Sequence, residues 1–185
     1  MLRPAAALPA LVAAALTGPR TARAETEQAL SGGFGFATFS APGKAVDNMP
    51  PPSVSPDWGL AIAGTYERSL GSDLALRAEL AAGLFRGGAA KDQSLTSFAG
   101  LADAGIAIRF DVSNAVPYAF VGLGGVVSGG GPIERGADFV LVAGGGLDYL
   151  TQRRRSYGGE IRLASFAGDV TVVTFNLRIT SRWGL

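Results

Sequence analysis

Apolar side chains fall on every second position in stretch after stretch of this chain, and that alternation limits what it can fold into more than any motif does. A period of two sends successive side chains to opposite faces of an extended strand, whereas a helix would scatter the same residues around its axis. Trp58, Leu60, Ile62 and Tyr66 share one face of a segment whose other face carries Gly59, Ala61, Ala63, Thr65 and Glu67. In the next segment Leu74, Leu76, Leu80 and Leu84 share a face while Arg77 and Glu79 point the opposite way. Eight such stretches follow one another, at Leu30 to Phe39, Trp58 to Arg68, Leu74 to Phe85, Ser97 to Phe110, Pro117 to Val127, Asp138 to Leu150, Tyr157 to Phe166 and Val170 to Trp183. Each is near the roughly 9 to 11 residues that a tilted membrane-crossing strand needs.

The connections alternate in length. Ser40 to Asp57, Arg86 to Thr96 and Ser128 to Ala137 are long and rich in Gly, Pro and polar residues, while Ser69 to Asp73, Asp111 to Val116 and Thr151 to Ser156 are shorter turns. Only Ala167 to Asp169 is short on the long side. An even number of antiparallel strands with long loops at one end and short turns at the other is the layout of an all-β, up-and-down transmembrane barrel. The fifth stretch, with Gly122, Gly124 and Gly125, does not declare its facing.

Alternation alone does not say which face looks outward, so a lipocalin-like barrel with an apolar lumen competes with a membrane barrel. A water-facing wall should carry interspersed Lys, Glu and Asp. The only lysines, Lys44 and Lys91, lie in expected loops, and the less apolar strand face is mainly Gly, Ala, Ser and Thr. That face suits the inside of a narrow eight-stranded barrel, which leaves Leu, Ile, Val and Phe to meet lipid. Aromatic positions agree. Tyr66, Tyr118, Tyr149 and Tyr157 lie beside the short turns, while Trp58, Phe85, Phe98, Phe139 and Phe166 lie beside the long loops, an arrangement expected of two interface girdles, and Trp183 at the end of the last stretch is expected among the interface aromatics.

The N-terminus reads as an address. Arg3 gives a positive start, Ala5 to Leu16 an apolar stretch broken by Pro9, and Ala22-Arg23-Ala24 a small-x-small cleavage site. Residues 1–24 are therefore expected to be a signal peptide and 25–185 the barrel domain. Removing Arg3, Arg20 and Arg23 from the 16 basic groups leaves 13 against 15 acidic, a net of −2 that offers nothing to nucleic acid. The chain has no His and no Cys. An imidazole base, a thiolate nucleophile, a disulfide and a Cys-type metal site are thus excluded, and no catalytic, cofactor or metal site is assigned. The glycine runs 129–131 and 144–146 lack the strand-to-helix setting of a nucleotide site.

At this level of detail the chain resembles the small eight-stranded outer-membrane β-barrels of Gram-negative bacteria, of the OmpA-transmembrane-domain and OmpX type, over Gln28 to Leu185. The resemblance is carried by Pro117-Tyr118 followed by Gly122-Leu-Gly124, by Gly144-Gly-Gly146-Leu-Asp148-Tyr149, by Gly159-Glu160-Ile-Arg162, and by Leu177, Ile179, Trp183 and Leu185 at alternate positions before the end. Leu185 in place of an aromatic terminus and Ser181 on the apolar face depart from the pattern. The resemblance implies a cell outer-membrane, porin-like envelope protein, surrounded by lipid and lipopolysaccharide and handled by the barrel-insertion machinery. Enzymes of this architecture are similar to one another in using an active-site His, which this chain lacks. A closed barrel has no free edge to force association, so a monomer is expected.

Facings from the alternation place Glu67, Arg77, Glu79, Arg109, Asp148, Glu160, Arg162 and Arg178 in the lumen, mostly toward the short turns. The third and seventh strands of an eight-stranded barrel oppose each other, so Arg77 and Glu79 are expected to pair across the lumen with Glu160 and Arg162 as an electrostatic plug. The expected role is structural or surface-interacting and non-enzymatic. The alternatives are a small permeation barrel for ions or apolar solutes, or a secreted lipocalin-like ligand-binding barrel. Two other features, Pro50-Pro51-Pro52 and Arg153-Arg154-Arg155, read most simply as a stiff polyproline spacer and a solvated turn; the arginines could otherwise meet anionic lipid head groups or cell-wall polymer.

Overall fold

The computed structural model describes residues 27–42, 53–88, 95–110, 113–131, 136–152, 154–166 and 169–184. The expected signal peptide, Lys44, Lys91, Pro50-Pro51-Pro52, Arg153 and Leu185 lie outside the described residues. Nine strands follow in order: β1 (Gln28–Pro42), β2 (Ser53–Val54), β3 (Trp58–Ser69), β4 (Leu74–Arg86), β5 (Thr96–Arg109), β6 (Ala115–Gly129), β7 (Gly136–Gln152), β8 (Arg155–Phe166) and β9 (Val170–Trp183). Each long strand pairs antiparallel with its neighbour in sequence, and β1 pairs with β9, which closes an eight-stranded up-and-down barrel. The two-residue β2, which the alternation did not reveal, pairs with Ala41 and Pro42 and continues the first hairpin past the wall.

Register fixes the barrel's shape. Following directly paired residues from Ser31 through Thr65, Glu79, Asp103, Gly124, Val140 and Phe166 leads to Val170 on β9, yet Ser31 itself pairs with Thr180. The path around the wall is therefore displaced by ten residues, and with eight strands a stagger of that size corresponds to a tilt of about 40° and a Cα radius of about 8 Å. At this tilt roughly 10 residues cross the apolar band. The eight wall strands are 12 to 17 residues long, longer at most ends than the alternation alone defined, and so they project beyond it.

The wall is apolar on the outside. Leu80, Leu123 and Leu177 are 62%, 69% and 67% exposed, and Ile62, Leu76, Leu84, Leu141, Phe175 and Ile179 stand on the same outer surface. That polarity is the reverse of a water-facing lipocalin-like barrel, whose apolar residues turn inward. The lumen has two storeys. Beside the long loops it is filled by Phe39, Phe85, Val126, Val140, Val142, Phe166 and Val172, with Phe39 and Phe85 edge to face at 5.2 Å. Beside the short turns it is filled by charge. Phe85 and Phe166, placed in the outer girdle by their positions along the strands, are 1% and 4% exposed and belong to this interior layer. Their even-numbered or odd-numbered place in the alternation already put them on the inner face; nearness to a loop did not decide the matter.

The fifth long strand resolves in the same terms. In β6 Val116, Tyr118, Phe120, Gly122 and Val126 turn inward, and Val121, Leu123 and Val127 outward. Tyr118, expected at the membrane interface, is 7% exposed and faces the lumen instead. The next strand makes room for it: a Cβ at Gly146 would collide with the Tyr118 hydroxyl, and one at Gly144 with the Phe120 ring. The glycines of the Gly144-Gly-Gly146 run thus permit two large rings to lie against the inside of the wall.

Candidate functional site in the barrel lumen

The chemistry-bearing side chains converge in the lower lumen. All eight expected lumen charges project inward, and Glu67, Arg77, Glu79, Asp148, Glu160, Arg162 and Arg178 are buried. The tilt and stagger bring them to one level from five strands, β3, β4, β7, β8 and β9.

Arg77 of β4 reaches across the lumen to Glu160 of β8, its Nη2 2.9 Å from Oε2. The same guanidinium contacts Glu79, lies 3.5 Å from Glu67, and stacks 3.7 Å over the Phe120 ring. Arg162 pairs with Glu79, completing the second cross-lumen contact between β4 and β8. Arg178 of β9 is the other hub. Its Nη1 donates to the Tyr118 hydroxyl at 2.7 Å and to Glu160 at 3.0 Å, and its Nη2 donates to Ser31 at 2.7 Å and Glu67 at 3.3 Å. Tyr118 in turn donates to Glu160 at 3.0 Å. Glu160 therefore accepts from two arginines and a tyrosine.

Toward the rim, Arg109 pairs with Glu67 and lies 3.5 Å from Glu27. Arg182 joins Glu27 and Asp148, each at 3.1 Å. Ser156 and Thr180 also donate to Asp148, at 3.3 and 3.5 Å. Removing one member of such a set strands its partners in low dielectric, which costs on the order of 3 to 5 kcal/mol.

Three inward charges escaped the sequence reading. Asp103 is 6% exposed and Arg182 7%, and each shares the alternation of a residue already assigned inward, Arg109 and Arg178 respectively, so the same rule would have found them. Glu27 precedes the first strand and carried no such signal. Of the aromatics expected at the interface, Trp58, Tyr149, Tyr157 and Trp183 are exposed on the outer wall. Tyr66 is half-buried there, its hydroxyl donating to Gln28 at 3.0 Å.

Between the two storeys lies a cavity of about 20 Å³ bounded by Ala61, Ala81, Phe85, Leu101, Arg162 and Thr174, space for on the order of one water molecule. Nothing of substrate size fits there. Among the described residues no three His, Cys, Asp or Glu side chains gather as a metal would require.

Comparison with solved structures finds the same architecture at low sequence identity. Ail of Yersinia pestis, solved in complex with the heparin analogue sucrose octasulfate, is 16% identical, with 85% of this chain and 99% of that one covered at a TM-score of 0.58. OprG of Pseudomonas aeruginosa is 11% identical, with 85% and 95% covered and a TM-score of 0.59. Neisserial surface protein A is 12% identical, with 86% and 98% covered and a TM-score of 0.56. No curated protein matches the sequence. Residues 5–182 match the family model described as the outer membrane protein beta-barrel domain, and the chain belongs to that family of outer-membrane barrels.

Proposed function

We propose that this protein is a non-enzymatic outer-membrane barrel with a closed lumen, acting as a structural or surface-interaction element through the loops at its long-loop end. The observation that carries the reading is the double filling of the lumen: an apolar layer around Phe39, Phe85 and Phe166 above the charge set centred on Arg77, Glu160 and Arg178. Both layers stand across any path for an ion or a solute, and Glu67, Glu79 and Glu160 are tied to guanidinium groups. The lack of His and Cys supports the same conclusion.

In this reading residues 1–24 direct export and are removed, the barrel is inserted by the envelope's assembly machinery and works as a monomer, and lipid with lipopolysaccharide surrounds the wall. Trp58 anchors one interface, and Tyr66, Tyr149, Tyr157 and Trp183 the other. The eight lumen charges serve as a structural network.

Planar-bilayer recording tests the proposal. A flat baseline is expected from the wild type after insertion is verified by heat-dependent gel migration. Steady unitary conductance would replace the proposal with a permeation function.

A further inference from the structure

Resting on the membrane-embedded reading above, we infer that the outer wall carries a binding site for the phosphate of an anionic phospholipid, formed by Arg155 and Ser181 at the short-turn end. Two features outside the lumen lead to it. Ser181 is a hydroxyl on the lipid-facing side of β9, between Ile179 and Trp183, and it makes no side-chain hydrogen bond among the described residues. A hydroxyl in that position is unfavourable unless something polar meets it. Arg155 opens β8 as an exposed side chain without an ion pair among the described residues.

Register brings the two together. Arg155 is directly paired with Ser181, and Ser181 on its other side with Leu30. Directly opposed side chains on one face lie about 4.5 to 5.5 Å apart at Cβ, so a single phosphate can span guanidinium and hydroxyl. Tyr157 and Trp183, 51% and 39% exposed, flank the pair. They mark this level as the boundary between hydrocarbon and head groups, where amphipathic rings concentrate.

Leu30, 55% exposed, supplies the apolar ground beside the pair that an acyl chain would lie on. Arg68, exposed on β3 at the same end and likewise without an ion pair among the described residues, adds positive field. In outer-membrane barrels the short turns are periplasmic, which puts the site in the inner, phospholipid leaflet. Guanidinium groups bind phosphate in a forked, charge-assisted geometry. The ligand class is accordingly a glycerophospholipid with net negative charge.

The test uses the full barrel in lipid nanodiscs made with phosphatidylcholine plus a minor fraction of phosphatidylglycerol. Lipid retained on the protein after mild detergent extraction is counted by native mass spectrometry. Phosphatidylglycerol should be enriched over phosphatidylcholine in the wild type. Arg155→Gln should lower that enrichment by about fivefold, the factor one guanidinium near an anionic surface contributes. Ser181→Ala should lower it as well, while Thr38→Ala at the opposite end should not.

Heat-dependent migration verifies that each variant is folded, and Ser181→Ala, which only trims a surface hydroxyl, keeps the test valid should Arg155→Gln fold poorly. Equal retention of the two lipids, or enrichment unchanged by both variants, overturns the site. Loss of the bound lipid to millimolar inorganic phosphate alone also overturns it, because the site would then be one for free anions. Failure of the wild type to enter nanodiscs at all would instead overturn the membrane reading on which the site rests.

Discussion

Arg77 and Glu160, 83 positions apart in the chain, meet at 2.9 Å across the lumen, joining β4 to the strand that faces it, β8. Their contact is one of several that each makes. Glu160 is also held by Arg178 and Tyr118, and Arg77 also touches Glu67 and Glu79. The pair thus sits at the centre of a network, and its energetics should be those of a network.

Substituting Arg77 by Ala leaves Glu79 and Glu160 short of a counter-charge, with an expected loss of about 3 to 5 kcal/mol in unfolding free energy. Glu160→Ala should cost a comparable amount by freeing Arg178 as well as Arg77. The double variant should lose less than the sum of the two, with a coupling of roughly 0.5 to 3 kcal/mol. Urea titration of the barrel in lipid vesicles, followed by tryptophan emission, measures all three. Simple additivity would mean that the two side chains do not interact.

Tyr118 accepts from Arg178 and donates to Glu160, so Tyr118→Phe keeps the ring against Gly146 but removes both bonds. A loss of about 1 to 3 kcal/mol follows from leaving charged groups under-satisfied. The same urea titration reads it. A neutral outcome would place the Tyr118 hydroxyl in water or at the interface rather than in the lumen.

Leu80 stands on the outer wall, 62% exposed, midway along β4 and so in the stretch that the tilt assigns to hydrocarbon. Leu80→Arg should cost about 2 to 4 kcal/mol when the barrel is folded into a bilayer. In the lipocalin-like alternative the same substitution would add a charge to a water-facing surface and change little. An unchanged folding energy in lipid would turn this face away from the hydrocarbon.

Much of this architecture could be read from residue order. Leu74, Leu76, Leu80 and Leu84 define an outer face, and once eight strands are counted Arg77 and Glu160 fall on opposite walls without any knowledge of coordinates. Tyr118 was misplaced because its own strand is uninformative: Gly122, Gly124 and Gly125 blur the alternation. The information that settles its facing lies some 26 to 28 residues away, in the glycines that receive its ring and that of Phe120. The apolar storey was not legible for a different reason. Period two tells which residues share a face, but whether Phe39, Phe85 and Phe166 meet one another depends on the ten-residue stagger, and stagger is a property of the closed sheet. Ser181 interrupts the apolar face of the last strand, and the neighbour that gives it meaning, Arg155, is set beside it only by the register of the closed sheet.

The orientation of the wall is the claim on which everything else depends, and the chain's two tryptophans test it without any label. Trp58 and Trp183 stand on the outer face at opposite ends, 51% and 39% exposed. In vesicles of lipids brominated at graded depths, Trp58→Phe and Trp183→Phe report the remaining ring in isolation. Each should be quenched most by bromines near the head groups, with emission shifted to the blue and little access for aqueous acrylamide. Emission from both that ignores the bromines and yields to acrylamide would contradict a lipid-facing wall.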